Sequence, residues 1–210
     1  MRPPPPAKRG SMRWILWLLV LVAAFFSYRV FFHPAFNPKR VAHAETEMWR
    51  AYYNHDQARL GYELALLFRN QYGLSLPTAV HIAKQYVQAA MKFQAAANNY
   101  DAIVLPDLTE AYRLLKQATR ASYDPEDAAR AELAWWVARR TPGQNSPEQV
   151  GKKIAELYAV LHGRSDPAFE TSGLLRARAA ALRDAGGQAP DWNQIEALLQ
   201  QSYAALHQAF

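Results

Sequence analysis

Prolines divide residues 41–210 into segments of helical length. They are Pro77, Pro106, Pro125, Pro142, Pro147, Pro167 and Pro190. Proline fits the first turn of a helix and disrupts a helix further along, and six of these seven stand where a helical pattern begins. Asp124 and Ser146 directly precede two of the prolines, and both residue types cap helix N-termini. We interpret the prolines as helix starts, so their spacing predicts a succession of helices.

The pattern between the prolines predicts an all-α fold. No stretch alternates between apolar and polar residues, with turn signals on both sides, as a strand would. Residues 99–105 are the one short run that could be extended, and Pro106 favours a linker there. No residue signature recurs at a fixed offset, which favours an irregular bundle over helical repeats. The predicted helices, about seven, cover residues 42–72, 77–97, 107–121, 125–140, 147–162, 168–185 and 191–208.

The positive charge of the chain is concentrated at one end. The net charge is +6, but seven of the 24 Lys and Arg residues lie within residues 1–40, where there is no Asp or Glu. Residues 41–210 therefore carry 17 basic and 18 acidic residues. A body of this balance lacks the field that attracts phosphates, so we expect no nucleic-acid partner. The absence of cysteine excludes disulfides, thiolate nucleophiles and iron–sulfur ligation.

An apolar run precedes the body. From Trp14 to Phe32 it has 19 residues, with Arg29 as its one charged residue. A helix of this length measures about 28 Å, against a hydrocarbon core of about 30 Å. We expect the run to form a transmembrane signal anchor. The predicted divisions are a basic, proline-rich tail over 1–13, the anchor over 14–32, a linker over 33–41 and an all-helical domain over 42–210.

A cleavable signal peptide is the alternative to this anchor. Ala42-His43-Ala44 has the small-x-small pattern of a cleavage site. Such a site normally follows the apolar region closely, whereas basic residues and prolines intervene here, so we favour a retained anchor. Four basic residues precede the run and three lie within or after it, which favours a cytoplasmic N-terminus. We expect a single-pass protein of the cell inner membrane with a periplasmic, or otherwise extracytoplasmic, C-terminal domain.

Two acidic residues fall on the apolar stripe of the first predicted helix. They are Asp56 and Glu63, and a buried carboxylate needs a partner, hydrogen bonds or a proton. In one interpretation they form an acid pair for general acid–base hydrolysis. In the other, each makes a structural ion pair, with Arg130 and Arg140 as the natural partners. Structural pairs outnumber catalytic ones where only a helical wheel supports the site, so we prefer the second interpretation.

Motifs for metals and cofactors are missing from the chain. His43 and Glu47 are four residues apart, but they lie away from the apolar stripe and no further ligand is identified. The sequence lacks His-Glu-x-x-His, the paired Glu-x-x-His of di-iron bundles, glycine-rich phosphate loops and Gly-x-Ser-x-Gly. We therefore predict no metal and no cofactor.

Trp135 is the one candidate binding residue. Trp136 falls on the apolar stripe of the fourth predicted helix with Leu133 and Val137, and Trp135 points about 160° away from it. Either the helix is buried on two sides, or Trp135 is exposed at an interaction site.

These observations favour a membrane-anchored helical binding or scaffold protein without catalytic activity. It contacts the membrane through residues 14–32 and recruits a protein partner that the sequence does not identify. The alternative is a membrane-tethered hydrolase that uses Asp56 or Glu63. A cleft beside these residues and a raised pKa would favour the hydrolase, whereas closed arginine pairs would favour the binding protein.

Overall fold

The computed structural model describes residues 10–210, with side chains at 14–28 and 31–210. The described residues form ten α-helices and no strand, which confirms the predicted all-α class. The chain divides into two compact units, one ending at Phe32 and the other covering residues 33–210. Residues 1–9 of the predicted basic tail lie outside the described residues.

The first unit contains helix α1, Gly10–Phe31. Its large apolar side chains between Trp14 and Tyr28 are 43–79% exposed. The predicted anchor over residues 14–32 coincides with most of this helix. None of the helices in the described part of the chain combines the length and the hydropathy that a membrane span needs.

The second unit contains nine helices in the described residues. Six of them carry a proline at one of the first two positions, and in five of these the proline is one that the sequence analysis assigned to a helix start. The sixth is Pro38 of α2, which was assigned to the linker, whereas Pro190 lies two residues before α10 begins. The helices are α2 (Pro38–Tyr53), α3 (Gln57–Tyr72), α4 (Leu76–Ala95), α5 (Tyr100–Ile103), α6 (Leu105–Thr119), α7 (Pro125–Arg140), α8 (Pro147–His162), α9 (Pro167–Ala185) and α10 (Trp192–His207).

The first predicted helix of the body, over residues 42–72, is wrong in extent. It is two helices, because His55 adopts a left-handed conformation with φ of 57° between them. Asp56 then caps α3, and its carboxylate accepts a hydrogen bond from the Arg59 amide at 3.0 Å. Two smaller differences concern the linkers. Helix α2 begins at Pro38, so the C-terminal end of the predicted linker 33–41 is helical. Residues 99–105 include the short helix α5.

Eight helices of the second unit close a ring. In the order α2, α3, α4, α6, α7, α8, α9 and α10, each helix packs against the next, and α10 packs back against α2. The short α5 packs against α4 and α6. We call this arrangement the helix ring. Because neighbours in the ring are otherwise neighbours in the sequence, α10 and α2 are the one pair of adjacent ring helices that comes from distant parts of the chain.

Helices α8 and α9 approach each other closely where Gly151 faces Gly173. A Cβ added to Gly151 would lie 2.8 Å from the Leu174 Cα, which is shorter than van der Waals contact allows. Glycine at this crossing therefore permits the two backbones to touch.

We expect Gly151→Ala to destabilise the protein by about 1–3 kcal/mol, because the added methyl group forces α8 and α9 apart. Gly61→Ala in α3 is the matched control. Its Cβ would meet Val87 at 3.8 Å, an ordinary contact, so this variant should be more stable than wild type by about 1 kcal/mol, since alanine favours helix. Chemical denaturation of the two variants checks both values, and equal changes would contradict the close approach.

Candidate functional site

A buried ion pair joins the first and last parts of the helix ring. Glu45 is fully buried and Arg176 is 8% exposed. The Arg176 Nε donates to Glu45 Oε1 at 2.7 Å, and the Tyr203 hydroxyl donates to Oε2 at 2.6 Å. Burial, and then the Glu45 carboxylate, raise the pKa of Tyr203, so its hydroxyl keeps the proton that it donates. The pair fixes α2, α9 and α10 to one another.

A second buried carboxylate, Glu132, joins α7 to α4 and α6. It accepts hydrogen bonds from the Tyr86 hydroxyl, from the Tyr112 hydroxyl at 2.9 Å and from the Trp136 indole nitrogen at 2.9 Å. Burial, followed by the adjacent Glu132, raises the pKa of both tyrosines. Three donors can satisfy a carboxylate that has no direct cation partner.

An aromatic cavity of about 330 Å³ lies among α2, α3, α4, α7 and α9. Most of its lining is apolar or aromatic, and three arginines and one carboxylate complete it. We call it the aromatic cavity. Its lining residues are Met48, Trp49, Tyr52, Tyr53, Leu60, Leu64, Tyr86, Ala90, Phe93, Trp135, Trp136, Arg139, Arg140, Arg176 and Asp184.

The cavity arginines differ in their partners. Arg176 is held by Glu45, as described above. Arg139 donates to Asp184 Oδ2 at 2.8 Å and to the Tyr53 hydroxyl at 2.9 Å. Arg140 donates to the Phe93 carbonyl at 2.6 Å and to the Tyr52 hydroxyl at 3.2 Å. Arg140 is exposed, and both of its partners are neutral, so its charge is not balanced by an adjacent carboxylate of the described chain.

Trp135 is buried, which agrees with the first of the two alternatives given above, a helix buried on two sides. It is 5% exposed, its ring packs edge-on against Trp136, and the Arg176 guanidinium lies 5.0 Å from the centre of its indole. Helix α7 is buried on two sides, because each helix of the ring packs against its neighbours and also faces the interior that the ring surrounds. The Trp135 Nε1 finds no acceptor in the described part of the chain. Trp135 is therefore a residue of the cavity.

The predicted ion pairs of Asp56 and Glu63 with Arg130 and Arg140 are wrong. Asp56 is exposed at the start of α3, because the break at His55 takes it off the helix face that the wheel assumed. Arg130 pairs instead with Glu126 at 2.5 Å on its own helix.

Glu63 is buried but has only a distant cation. Its carboxylate lies 4.0 Å from the Arg59 Nε, and Arg59 makes its closer pair with Glu47. Burial, and then repulsion from Glu47, raise the pKa of Glu63. This is one of the two features that would favour a hydrolase. The other feature is a cleft beside these residues, and the aromatic cavity does not supply it, because neither Glu63 nor Asp56 lines that cavity.

His43 and Glu47, considered above as a metal pair, lie four residues apart on α2 but have other partners. His43 lies 3.3 Å from Glu196 of α10, and Glu47 pairs with Arg50 at 3.1 Å and with Arg59. Within the described residues, no three His, Cys, Asp or Glu side chains are grouped as a metal site requires.

The helical wheels did not identify the buried residues Glu45, Glu132 and Arg176. The sequence does contain a pattern that indicates the two buried acids, because each lies at a helical interval from large apolar residues. Glu45 lies between Val41 and Trp49, four residues from each, and Glu132 lies four residues before Trp136. Each acid therefore shares a face with large apolar residues. Arg176 similarly lies four residues from Ser172 and from Ala180, both of which are buried.

Comparison of the chain with protein-family models, with curated proteins and with solved structures gives no match.

We expect Glu45→Gln to lower the free energy of unfolding by about 3–5 kcal/mol, because it leaves the Arg176 charge buried without its partner. Thermal melting of the full chain in detergent measures the loss. Glu110→Gln is the control, since Glu110 makes an exposed pair with Arg113 on α6, and such pairs contribute little. A melting temperature that falls equally in both variants would contradict a structural role for the buried pair.

We expect Glu63→Gln to stabilise the protein at neutral pH. The pKa of Glu63 is raised in the folded state, so the protonated form is favoured on folding and stability is lost as pH rises through the folded pKa. Glutamine resembles the protonated form and removes this loss.

Melting temperatures at about pH 4 and at neutral pH test this expectation, because the advantage of the variant should vanish below the ordinary pKa of glutamate. Glu156→Gln, at an exposed pair with Lys153, should show no such gain. A lower melting temperature of Glu63→Gln at neutral pH would show that the carboxylate is needed in its charged form.

Proposed function

We propose that the protein is a membrane-anchored binding protein that holds a small ligand in the aromatic cavity of its helix ring and catalyses no reaction. The observation that carries this proposal is the unpartnered indole N–H of Trp135, a buried residue of the cavity lining. A buried donor without an acceptor is costly, and a bound ligand is one way to supply the acceptor.

The size and lining of the cavity support a small ligand. A volume of about 330 Å³ lies at the lower end of the range of roughly 300–1,000 Å³ that is common for ligand pockets. Such pockets are mostly apolar and contain a few placed polar groups, and this one combines aromatic rings with arginines and Asp184. The buried networks of Glu45 and Glu132 hold Arg176, Tyr86 and Trp136 in place before any ligand arrives, which reduces the entropy lost on binding.

Exposed apolar surface supports a membrane anchor. The large apolar side chains of α1 from Trp14 to Tyr28 are exposed, and a helix that is apolar on all sides needs an apolar environment. In the sequence the run continues to Phe32. We propose that residues 14–32 lie in the membrane, with the N-terminus in the cytoplasm and the helix ring on the other side. Recruitment of a protein partner stays a prediction.

Binding can be tested with 2-naphthamide, a neutral aromatic probe that is small enough for the cavity. We expect it to bind the full chain in detergent and to quench tryptophan fluorescence, because Trp49, Trp135 and Trp136 line the site. Ala90→Phe should abolish binding, since Ala90 is a buried lining residue and the added ring fills the cavity.

The control for this test is Ala95→Phe, which introduces the same side chain at an exposed position of the same helix. Its affinity for the probe should equal that of wild type. Melting curves confirm that both variants fold. Equal binding to wild type and a folded Ala90→Phe would refute a site in the aromatic cavity, as would the absence of binding both of this probe and of its ionised analogue 2-naphthoate.

The anchor can be tested by carbonate extraction of membranes. We expect the full chain to stay in the membrane pellet and a variant without residues 14–32 to be released, because the deletion removes the exposed apolar side chains. Phosphatase fused to the C-terminus should be active if the helix ring lies outside the cytoplasm. Release of the full chain by carbonate would exclude the anchor, and an inactive fusion would reverse the orientation.

A further inference from the structure

We propose that the ligand of the aromatic cavity is an aromatic monocarboxylate, whose carboxylate binds Arg140 and whose apolar body lies among the aromatic side chains. This inference rests on the proposed binding function and specifies the chemical class of its ligand. It follows from the charges, the hydrogen-bond donors and the ring faces of the cavity.

The charges of the lining leave one cation unbalanced. Arg139 is paired with Asp184, and Arg176 is paired with Glu45 behind the cavity surface. Arg140 binds only a backbone carbonyl and a phenol. A single surplus positive charge at an exposed position favours a ligand with one negative charge.

Two further charged groups beside the lining do not alter this balance. The Arg183 guanidinium lies 3.5 Å from the carboxylate of Asp184, which is also the partner of Arg139. Glu132 lies behind Tyr86 and Trp136, which donate to it. These two charges are opposite in sign, so the cavity and its immediate surroundings keep one surplus positive charge.

The hydrogen-bonding groups of the cavity are mainly donors. The Trp135 indole N–H has no acceptor among the described residues, and guanidinium groups donate but cannot accept. The one carboxylate of the lining, Asp184, already accepts from Arg139. A ligand that enters this cavity therefore has to supply acceptors, and a carboxylate supplies two acceptor oxygens.

Positively charged ligands are disfavoured because the cavity arginines already cover the aromatic faces that would bind them. Arg139 lies 5.7 Å from the centre of the Trp49 ring, Arg140 lies 3.8 Å from that of Phe93, and Arg176 lies 5.0 Å from that of Trp135. Aromatic faces attract cations, and each of these faces is near a cation of the protein. The ring edges and the aliphatic residues Leu60, Leu64 and Ala90 remain for an apolar body.

A matched pair of probes tests the charge of the ligand. We use 2-naphthoate, which is ionised at neutral pH, and 2-naphthamide, which has nearly the same shape and no charge. Calorimetric titration of the full chain in detergent, with a detergent blank, should give an affinity for the naphthoate at least about tenfold higher than for the amide, as one charge-assisted contact predicts.

Two variants assign the effect to the cavity. Arg140→Gln should remove the tenfold preference for naphthoate over the amide, whereas Arg113→Gln, at an exposed pair on α6, should change neither affinity. Trp135→Phe keeps an aromatic side chain and removes the N–H, so it should weaken naphthoate binding severalfold. Melting curves confirm that the variants fold.

The outcomes separate this inference from the proposed function. If both probes bind wild type with equal affinity, or if Arg140→Gln keeps the preference for naphthoate, the monocarboxylate inference is overturned and the binding site stands. If neither probe binds, both proposals fail. Tighter binding of naphthoate that Arg140→Gln abolishes and Arg113→Gln preserves supports the inference.

Discussion

The buried pair between Glu45 and Arg176 is the interaction on which the rest of the helix ring depends. Two charges are removed from water there, and such a pair is tolerated only when its geometry is close and its remaining atoms are hydrogen-bonded. Tyr203 supplies that additional bond. Because the three side chains belong to α2, α9 and α10, the cost of burial is offset only when the helix ring is closed. The pair thus selects the closed arrangement over an open row of helices.

The helix content of the fold could be predicted from local chemistry, and its closure could not. Prolines and capping residues act within one turn, so Asp124 and Ser146 fix the starts of α7 and α8 from sequence alone. The break between α2 and α3 contains neither proline nor glycine, and His55 adopts its left-handed conformation there. The contact of α10 with α2 depends on packing between distant segments, about which a helical wheel contains no information.

The same limit of helical wheels explains why the candidate site was not predicted from the sequence. A wheel assigns a residue to a face of its helix but does not identify what that face meets. It placed Trp135 away from the apolar stripe of Trp136, but the two rings are in contact and line the same cavity, and Trp135 also lies beside Arg176 from another helix. It placed Asp56 in the core because it assumed an unbroken helix. Arg140, which is proposed to bind the ligand carboxylate, was identified from the sequence only as a possible ion-pair partner for an acidic residue.

The order of helices around the ring has a consequence for synthesis of the chain. Each helix packs on the one made just before it, so packing can proceed as the chain lengthens. The partners of Glu45, however, are made much later: Arg176 follows it by 131 residues and Tyr203 by 158 residues. Until α10 is made, the growing protein has a carboxylate with no matching charge at its future centre, and water has to remain there. Completion of the chain is therefore also the step at which the Glu45 carboxylate can leave water.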